Sequence, residues 1–488
     1  MLFHTSAFIF GFLPVCVGGF FLLGGFAGSV WALRWLVFCS LFFYGWWDAR
    51  FVPLLVGSIL ANHLVARAIR RRLRAGALTV AKRTLIAGIA LDLGVLCLFK
   101  YADFLAHIVS PALPSLGIPL PLAISFFSFQ QIMFLVEAWR HPERDTDLLY
   151  TAAFISFFPH LIAGPIVRPH DIIPQLEYSG LARPMPENLS AGLLIFLLGL
   201  GKKLVLADMF GGFADTGFNA AGAGFGLSFF EAWYATLAYA LQIYFDFSAY
   251  SDMAIGIARM MNIRFPLNFN SPYQSTNISE FWRRWHITLG QFLRDYVYIP
   301  LGGSRTGTRR RARNLLLTML LCGLWHGAAW RFVLWGGLHG AFLASHMVFR
   351  RAGLRLPMPL ARAVTLVVVI VAWVPFRADN LAVAWSMLRA MAGLDGIVLP
   401  ALIVHVFPAL ASIATSVPVL PYLGDARTLS FPELTACLAL GWFIVLVMPN
   451  VHAMSERGRR LALTSGFAFT AQALFFAPRV APFLYFQF

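Results

Sequence analysis

Phe281-Trp-Arg-Arg-Trp-His286 and, further along, Gly323-Leu-Trp-His-Gly327 are the two stretches around which this chain is organised. They fall between Asn268 and His346, where polar and aromatic residues cluster inside a sequence otherwise made of apolar runs. Between them lie Gln291-Phe-Leu-Arg-Asp-Tyr-Val-Tyr-Ile-Pro-Leu-Gly-Gly303 and a basic run from Arg305 to Arg313. Asn277-Ile-Ser-Glu280 reads as a capping box that opens an amphipathic helix. Trp282, Trp285, Leu289, Phe292, Leu293 and Tyr296 share its apolar face, and Arg283, Arg284, Gln291, Arg294 and Asp295 take polar positions. Such a helix is expected to lie in the membrane interface or re-enter it, not to span. The next helix is expected to start near Asn314. His326 is then 12 residues on, about 18 Å along the axis and near the middle of a hydrocarbon layer about 30 Å thick. An ionisable side chain at that depth marks a functional site.

Outward from this stretch, composition sets the class. The chain of 488 residues is 59% hydrophobic and only 12% charged, about half the charge of a soluble domain. Apolar stretches near the 20 or so residues that cross a bilayer recur from end to end. The expectation is an all-α polytopic membrane protein: one membrane-embedded domain over residues 1–488, with about 10–13 spanning or re-entrant helices. Lys and Arg number 38 against 22 acidic residues, and the excess gathers at Arg67–Arg83, Arg305–Arg313, Arg350–Arg362 and Arg457–Arg460. Clusters beside spans mark the cytoplasmic side and anionic lipid; with no basic stripe on a soluble fold, nucleic acid is excluded as a partner. Ala7–Val30 precedes the first basic residue, Arg34, and so reads as an uncleaved first helix. The five cysteines stand singly in apolar runs, which makes them packing residues, with Cys322 on the face of His326.

Three apolar segments fill Ala7–Val65, broken at Trp46, Trp47, Asp48 and Arg50. A span over Thr84–Phe99 ends in Lys100-Tyr-Ala-Asp-Phe104. Ser125, Ser128, Gln130 and Gln131 are too polar to face lipid, which turns them inward. Two prolines and a glycine in Ser156-Phe-Phe-Pro-His-Leu-Ile-Ala-Gly-Pro-Ile-Val-Arg168 forbid an unbroken helix. Irregular backbone at membrane depth needs a protein or cavity environment, so this is a candidate cavity wall, with His160 as a hydrogen-bonded interfacial residue. Leu193–Leu206 spans, with Lys202 and Lys203 near its end, and Ser228–Phe247 spans toward Asp246 and Asp252. Each carboxylate needs a partner: a structural network that pins helices, or chemistry. His339 and His346 read as hydrogen-bonded helix residues, with a place in the site as the alternative. Further spans are expected at Ala363–Phe376, near Pro400–Val417, at Leu434–Val447 and at Leu461–Phe476.

Together, Pro121–Gln130, Phe157–Arg168, Gly199–Asp208, Tyr244–Gly256, Asn268–Gly303 and Leu324–Gly327 resemble the membrane-bound O-acyltransferase family. The similarity is to the bacterial branch with alginate O-acetylase membrane proteins and the teichoic-acid D-alanyl transfer protein. It implies that fold, with a central tunnel or funnel, and transfer of an acyl group from a cytoplasmic thioester to a hydroxyl of the envelope. His326 matches the family's catalytic histidine and His286 its second histidine. The implied setting is the bacterial inner membrane. The implied donor is acetyl-CoA or a carrier-protein thioester, and the implied partners are membrane lipid, a periplasmic acetyltransferase and a polysaccharide acceptor such as alginate.

The residues support this chemistry on their own terms. An alcohol attacking a thioester must lose its proton, and imidazole changes charge close to neutral pH. Arg294 and Arg305 are candidate attractors of the donor's phosphates, against plain solvated anchoring. No nucleotide-binding loop and no metal-ligand cluster appears, so no bound cofactor or metal is expected. A reading from another class is a channel or flippase with His326 as gate or proton relay. The tail, Pro482-Phe-Leu-Tyr-Phe-Gln-Phe488, resembles the aromatic motif ending the small partner of the D-alanyl system, in which a tyrosine is proposed to carry the acyl group. Tyr485 fits that role, although Phe483 stands two residues before it instead of three; an interfacial anchor is the plainer alternative.

Overall fold

Gly28, with φ of +88°, ends the first helix, Ala7–Ala27, and the second, Ser29–Gly45, follows at once. Trp46 and Trp47 are exposed at the break that follows. There the Asp48 carboxylate accepts from the Arg50 backbone N–H at 3.0 Å and pairs with the Arg50 guanidinium, starting the helix Ala49–Arg74. The break expected from these residues is therefore a capped helix start. The computed structural model describes residues 1–305, 307–400, 415–417, 431–476 and 483–484.

The protein is built of helices. Six are long and apolar enough to cross a membrane among the described residues: Ala7–Ala27, Ala49–Arg74, Leu78–Val109, Pro186–Gly222, Trp330–Arg351 and Met358–Arg377. Shorter apolar helices include Ser29–Gly45, Leu381–Met391 and Glu433–Val447. The span expected over Thr84–Phe99 runs on through Lys100 and Asp103 to Val109, with a π-helical turn at Cys97–Tyr101. The span expected near Pro400–Val417 lies largely outside the described residues. Its ends are not helical: Val398–Pro400 pairs in parallel with Thr415–Val417 as two short strands.

By its backbone contacts the chain falls into two compact units. The first comprises Met1–Leu200, Tyr250–Leu267 and Arg459–Ser465. Its interior carries a polar network: Asn62 donates to Asp92 and to Gln131, each at 2.8 Å, so three helices are tied below the lipid-facing surface. Here too the segment after Ser156 breaks as its prolines and glycine require, with Leu148–Ser156, a single turn Phe158–Leu161, irregular backbone, then Pro169–Leu176. That segment is buried through Val167. His160 is fully buried instead of interfacial, because Gln130 supplies its polar contact inside the protein: the Gln130 amide donates to His160 Nδ1 at 2.6 Å.

The second unit, Gly201–Ala249, Asn268–Gly458 and Gly466–Phe488, holds both site histidines. Its centre is the hairpin of Thr308–His326 and Trp330–Arg351. Glycines let the two backbones touch. A Cβ on Gly323 would collide with the carbonyl of Phe332, and one on Gly336 with that of Met319. Small residues at such a crossing are how helices associate where lipid tails offer no competing hydrophobic drive.

Two sequence expectations are corrected in this unit. The hairpin's first helix starts at Thr308, not near Asn314, because arginine is nearly as good a helix former as leucine and the basic run is itself helical. His326 is thus the last residue of a 19-residue helix, about 27 Å from its start. The amphipathic helix expected from Asn277 to Tyr296 is also two helices, Ile278–Arg284 and Ile287–Leu293, followed by a π-helical turn at Arg294–Tyr298. The interruption is at His286.

Candidate active site

Asn268 explains that interruption. His286 takes a left-handed conformation, φ of +41°, which a non-glycine residue adopts only when its surroundings hold it there. The Ile287 N–H donates to the Asn268 carbonyl, and the Asn270 N–H to the Arg284 carbonyl, both at 2.9 Å, so the 268–270 segment takes over the hydrogen bonds that the broken helix gives up. Asn268 Oδ1 then accepts from the Thr288 hydroxyl at 2.9 Å and from the Thr288 N–H at 3.4 Å. A backbone amide can only donate, so that atom is the amide oxygen. His286 Nδ1, 3.1 Å from the same oxygen, must therefore carry the proton and donate. The remaining ring nitrogen, Nε2, holds a lone pair and is buried with no hydrogen-bond partner among the described residues.

The start of this segment is capped much as its sequence suggests. Asn277 Oδ1 accepts from the Glu280 N–H at 2.9 Å. The return bond goes one residue further back than the motif predicts, Glu280 accepting from the Thr276 N–H and hydroxyl at 2.9 and 2.7 Å. Burial works to raise the Glu280 pKa, but those two donors and Arg284, 2.8 Å away, overcome it and hold the carboxyl below its usual value.

His326 stands in an aromatic cage. The rings of Trp325, Trp335 and Phe376 lie 4.9, 5.1 and 5.1 Å from its own, each presented edge to face. Such pairs contribute about 0.5–1.5 kcal/mol each beyond burial, so the imidazole is fixed by packing. Trp325 also borders His286, with ring centroids 6.3 Å apart, so the two histidines share one wall. Phe247 covers His286 from another side at 4.8 Å. His339 belongs to the same cluster: Trp282 Nε1, which can only donate, hydrogen-bonds His339 Nδ1 at 3.3 Å. His339 is thus the hydrogen-bonded helix residue its sequence context suggested. Cys322 is buried four residues before His326 in the same helix.

Asp246 has its partners, and they are structural in kind. Lys203 sits in a π-helical turn, Lys202–Ala207, and its Nζ reaches Asp246 at 2.7 Å and Asp208 at 2.8 Å. The second Asp246 oxygen accepts from the Leu484 N–H at 2.8 Å, and Phe483 lies against the Lys203 ammonium at 4.8 Å. Both tail residues are buried. The sequence singled out Lys203 and Asp246 separately but did not pair them, and it passed over Asn268, Trp335 and Phe376 as site walls. Only the polarity of Asn268 among apolar neighbours carried any signal.

Gln130 and Asp252 are buried in the first unit. Arg294 is exposed and held in a two-point ion pair by Asp295 at 2.6 and 3.0 Å, while Arg305 is exposed in the loop before the hairpin. Tyr485 lies outside the described residues.

A polytopic helical membrane protein with buried histidines boxed by tryptophans defines a narrow class. A model of the membrane-bound O-acyltransferase family matches residues 31–387, and the chain belongs to that family. It is therefore an acyl-transferring enzyme. Among its relatives, the peptidoglycan O-acetyltransferase of Helicobacter pylori is 42% identical over 432 residues, 81% of each chain. The probable alginate O-acetylase AlgI of Pseudomonas aeruginosa is 41% identical over 80% of this chain and 75% of its own. Similarity to the teichoic acid D-alanyltransferase of Bacillus subtilis is more distant, 27% identity over 52% of this chain and 66% of the other.

Proposed function

We propose that this protein, resident in the bacterial inner membrane, moves an acetyl group from a cytoplasmic thioester to hydroxyls of a cell-envelope polysaccharide. The observation that carries the reading is the arrangement of His326: it ends the hairpin helix, is packed on three sides by aromatic rings, and shares Trp325 with a second, oriented histidine. His326 takes the proton from the attacking oxygen as that oxygen adds to the thioester carbonyl. The tetrahedral intermediate expels the thiolate, which recovers the proton, and an ester remains. His286, its Nε2 lone pair held in place through Asn268, accepts a hydrogen bond that orients the reacting group. The donor is acetyl-CoA or a carrier-protein thioester, and the basic segments at Arg67–Arg83 and Arg305–Arg313 face the cytoplasm where it is made.

The relatives support a carbohydrate acceptor, since one is named for peptidoglycan and another for alginate. Ester-linked acetate should disappear from one envelope polymer when the gene is deleted, return with the wild-type gene, and stay absent with His326→Ala. An unchanged acetate content in every polymer of the deletion strain would refute the assignment.

A specific observation favours a route through the tail. Leu484 is held by Asp246, and the next residue of the same helix, Phe229–Met260, is Phe247, which packs on His286. In this route His326 deprotonates Tyr485, the phenolate adds to the thioester carbonyl and expels the thiolate, which takes the proton from His326, and a periplasmic transferase receives the acetyl group from the tyrosine. Tyr485→Phe keeps an aromatic anchor and removes only the oxygen, so it should abolish polymer acetylation. Normal acetylation in that variant leaves Tyr485 an anchor and His326 acting on the acceptor directly or through a partner.

A further inference from the structure

Two cavities adjoin at one end of the hairpin, outside the histidine cluster. One, of about 540 Å³, opens between Trp330–Arg351 and Met358–Arg377 and is lined mainly by apolar side chains, among them Phe342, Phe349, Val364 and Val368. The other, of about 390 Å³, lies toward the start of Thr308–His326 and is lined by Arg311, Arg350 and Arg351. His346 and Arg350 line both, so the two form an apolar cleft with a cationic head. Neither cavity is lined by an acidic residue. Among the described residues these arginines form no ion pair, and the Arg311 Nε is buried without an acceptor. Arg350 and Arg351 are exposed, but the buried Arg311 Nε is costly unless a ligand supplies an acceptor.

We infer that this cleft binds one anionic phospholipid, its phosphate held among Arg311 and Arg350 and an acyl chain laid along Phe342, Val364 and Val368. Three features favour a lipid over a soluble phosphate compound. Arg350 and Arg351 end Trp330–Arg351, a helix long enough to span, at the level where headgroups lie, and Arg311 lines the same cavity from the neighbouring helix. Guanidinium groups bind phosphate through paired hydrogen bonds. The cleft beside them is apolar and open at its side, as a chain requires and a nucleotide does not. Basic pockets between spanning helices on the cytoplasmic side are places where anionic headgroups are recognised. The inference is independent of the acyl-transfer reading, since it uses neither His326 nor His286, although Phe342 also packs on His339 at 6.1 Å.

The test is native mass spectrometry of the purified full-length protein after equilibration with equal amounts of phosphatidylglycerol and phosphatidylcholine of the same chains. Phosphatidylglycerol adducts should exceed phosphatidylcholine adducts by about tenfold, the order of preference that two arginines confer on an anionic headgroup. The excess should fall to parity in the Arg311→Gln/Arg350→Gln variant. Val364→Trp, which fills the cleft and leaves the charges, should lose the adduct altogether. Parity in the wild type, or an undiminished preference in the double variant, overturns the inference. So does full displacement by glycerol 3-phosphate, which assigns the arginines to free phosphate, or by coenzyme A, which assigns them to the donor.

Discussion

The ionic cluster at Lys203 and the histidine cluster at Trp325 lie in the same compact unit, and one helix serves both through adjacent residues, Asp246 to the first and Phe247 to the second. Their construction is opposite. In the ionic cluster every charge is answered: Lys203 by two carboxylates, and Asp246 by that lysine and by the Leu484 N–H. In the histidine cluster the imidazoles are walled by rings, and Asn268 holds only the Nδ1 side of His286. A buried ionisable group with all its partners in place pins the chain, whereas His286, held at Nδ1, keeps its Nε2 lone pair for a substrate.

The sharpest way to break that contrast is to remove the lysine. Lys203→Met leaves the buried Asp246 and the partly exposed Asp208 without their cation, and breaking a buried pair costs about 3–5 kcal/mol. The variant should be recovered in low yield and unfold at a lower temperature in detergent, in a thermal scan of the solubilised protein. Wild-type stability with lost transfer would instead put the cluster in the reaction. Next in size are His286 and its anchor. His286→Ala should lower acyl transfer, and Asn268→Ala, which frees the ring to take the other tautomer, should lower it by about tenfold through the turnover rate with protein yield unchanged. If Asn268→Ala retains full activity, the tautomer set in the structure is irrelevant to the chemistry. The smallest effect is expected at Arg294. Its guanidinium is already committed to Asp295 in solvent, where such a pair contributes about 0–1 kcal/mol, so Arg294→Gln should stay within about twofold of wild type at all donor concentrations. A large rise in the donor KM would restore it to the donor's path.

The residues show where a sequence speaks and where it does not. The broken segment after Ser156 was legible because Pro159, Gly164 and Pro165 act locally. So was the break around Trp46–Arg50, although that it is a helix start capped by Asp48 appears only in the structure. The break at His286 was not, because nothing in Arg-Arg-Trp-His-Ile-Thr forbids a helix; the hydrogen bonds that open it come from Asn268, 18 residues upstream. The same holds for Lys203 and Asp246, whose separation of 43 residues hides the pairing although each charge is conspicuous by itself. The basic run before Asn314 misled for a different reason, since charge marks the membrane's edge but does not end a helix.

The central claim, that His326 is the group on which acyl transfer turns, is tested most directly with purified protein in sealed vesicles supplied with acetyl-CoA and an acceptor polysaccharide. Free thiol and ester-linked acetate should accumulate together with wild type. His326→Ala should reduce both by about 10²–10⁴-fold while its thermal unfolding in detergent is nearly unchanged. Transfer that persists in a well-folded His326→Ala protein, or flux of ions or sugar without thiol release from the wild type, would contradict the account.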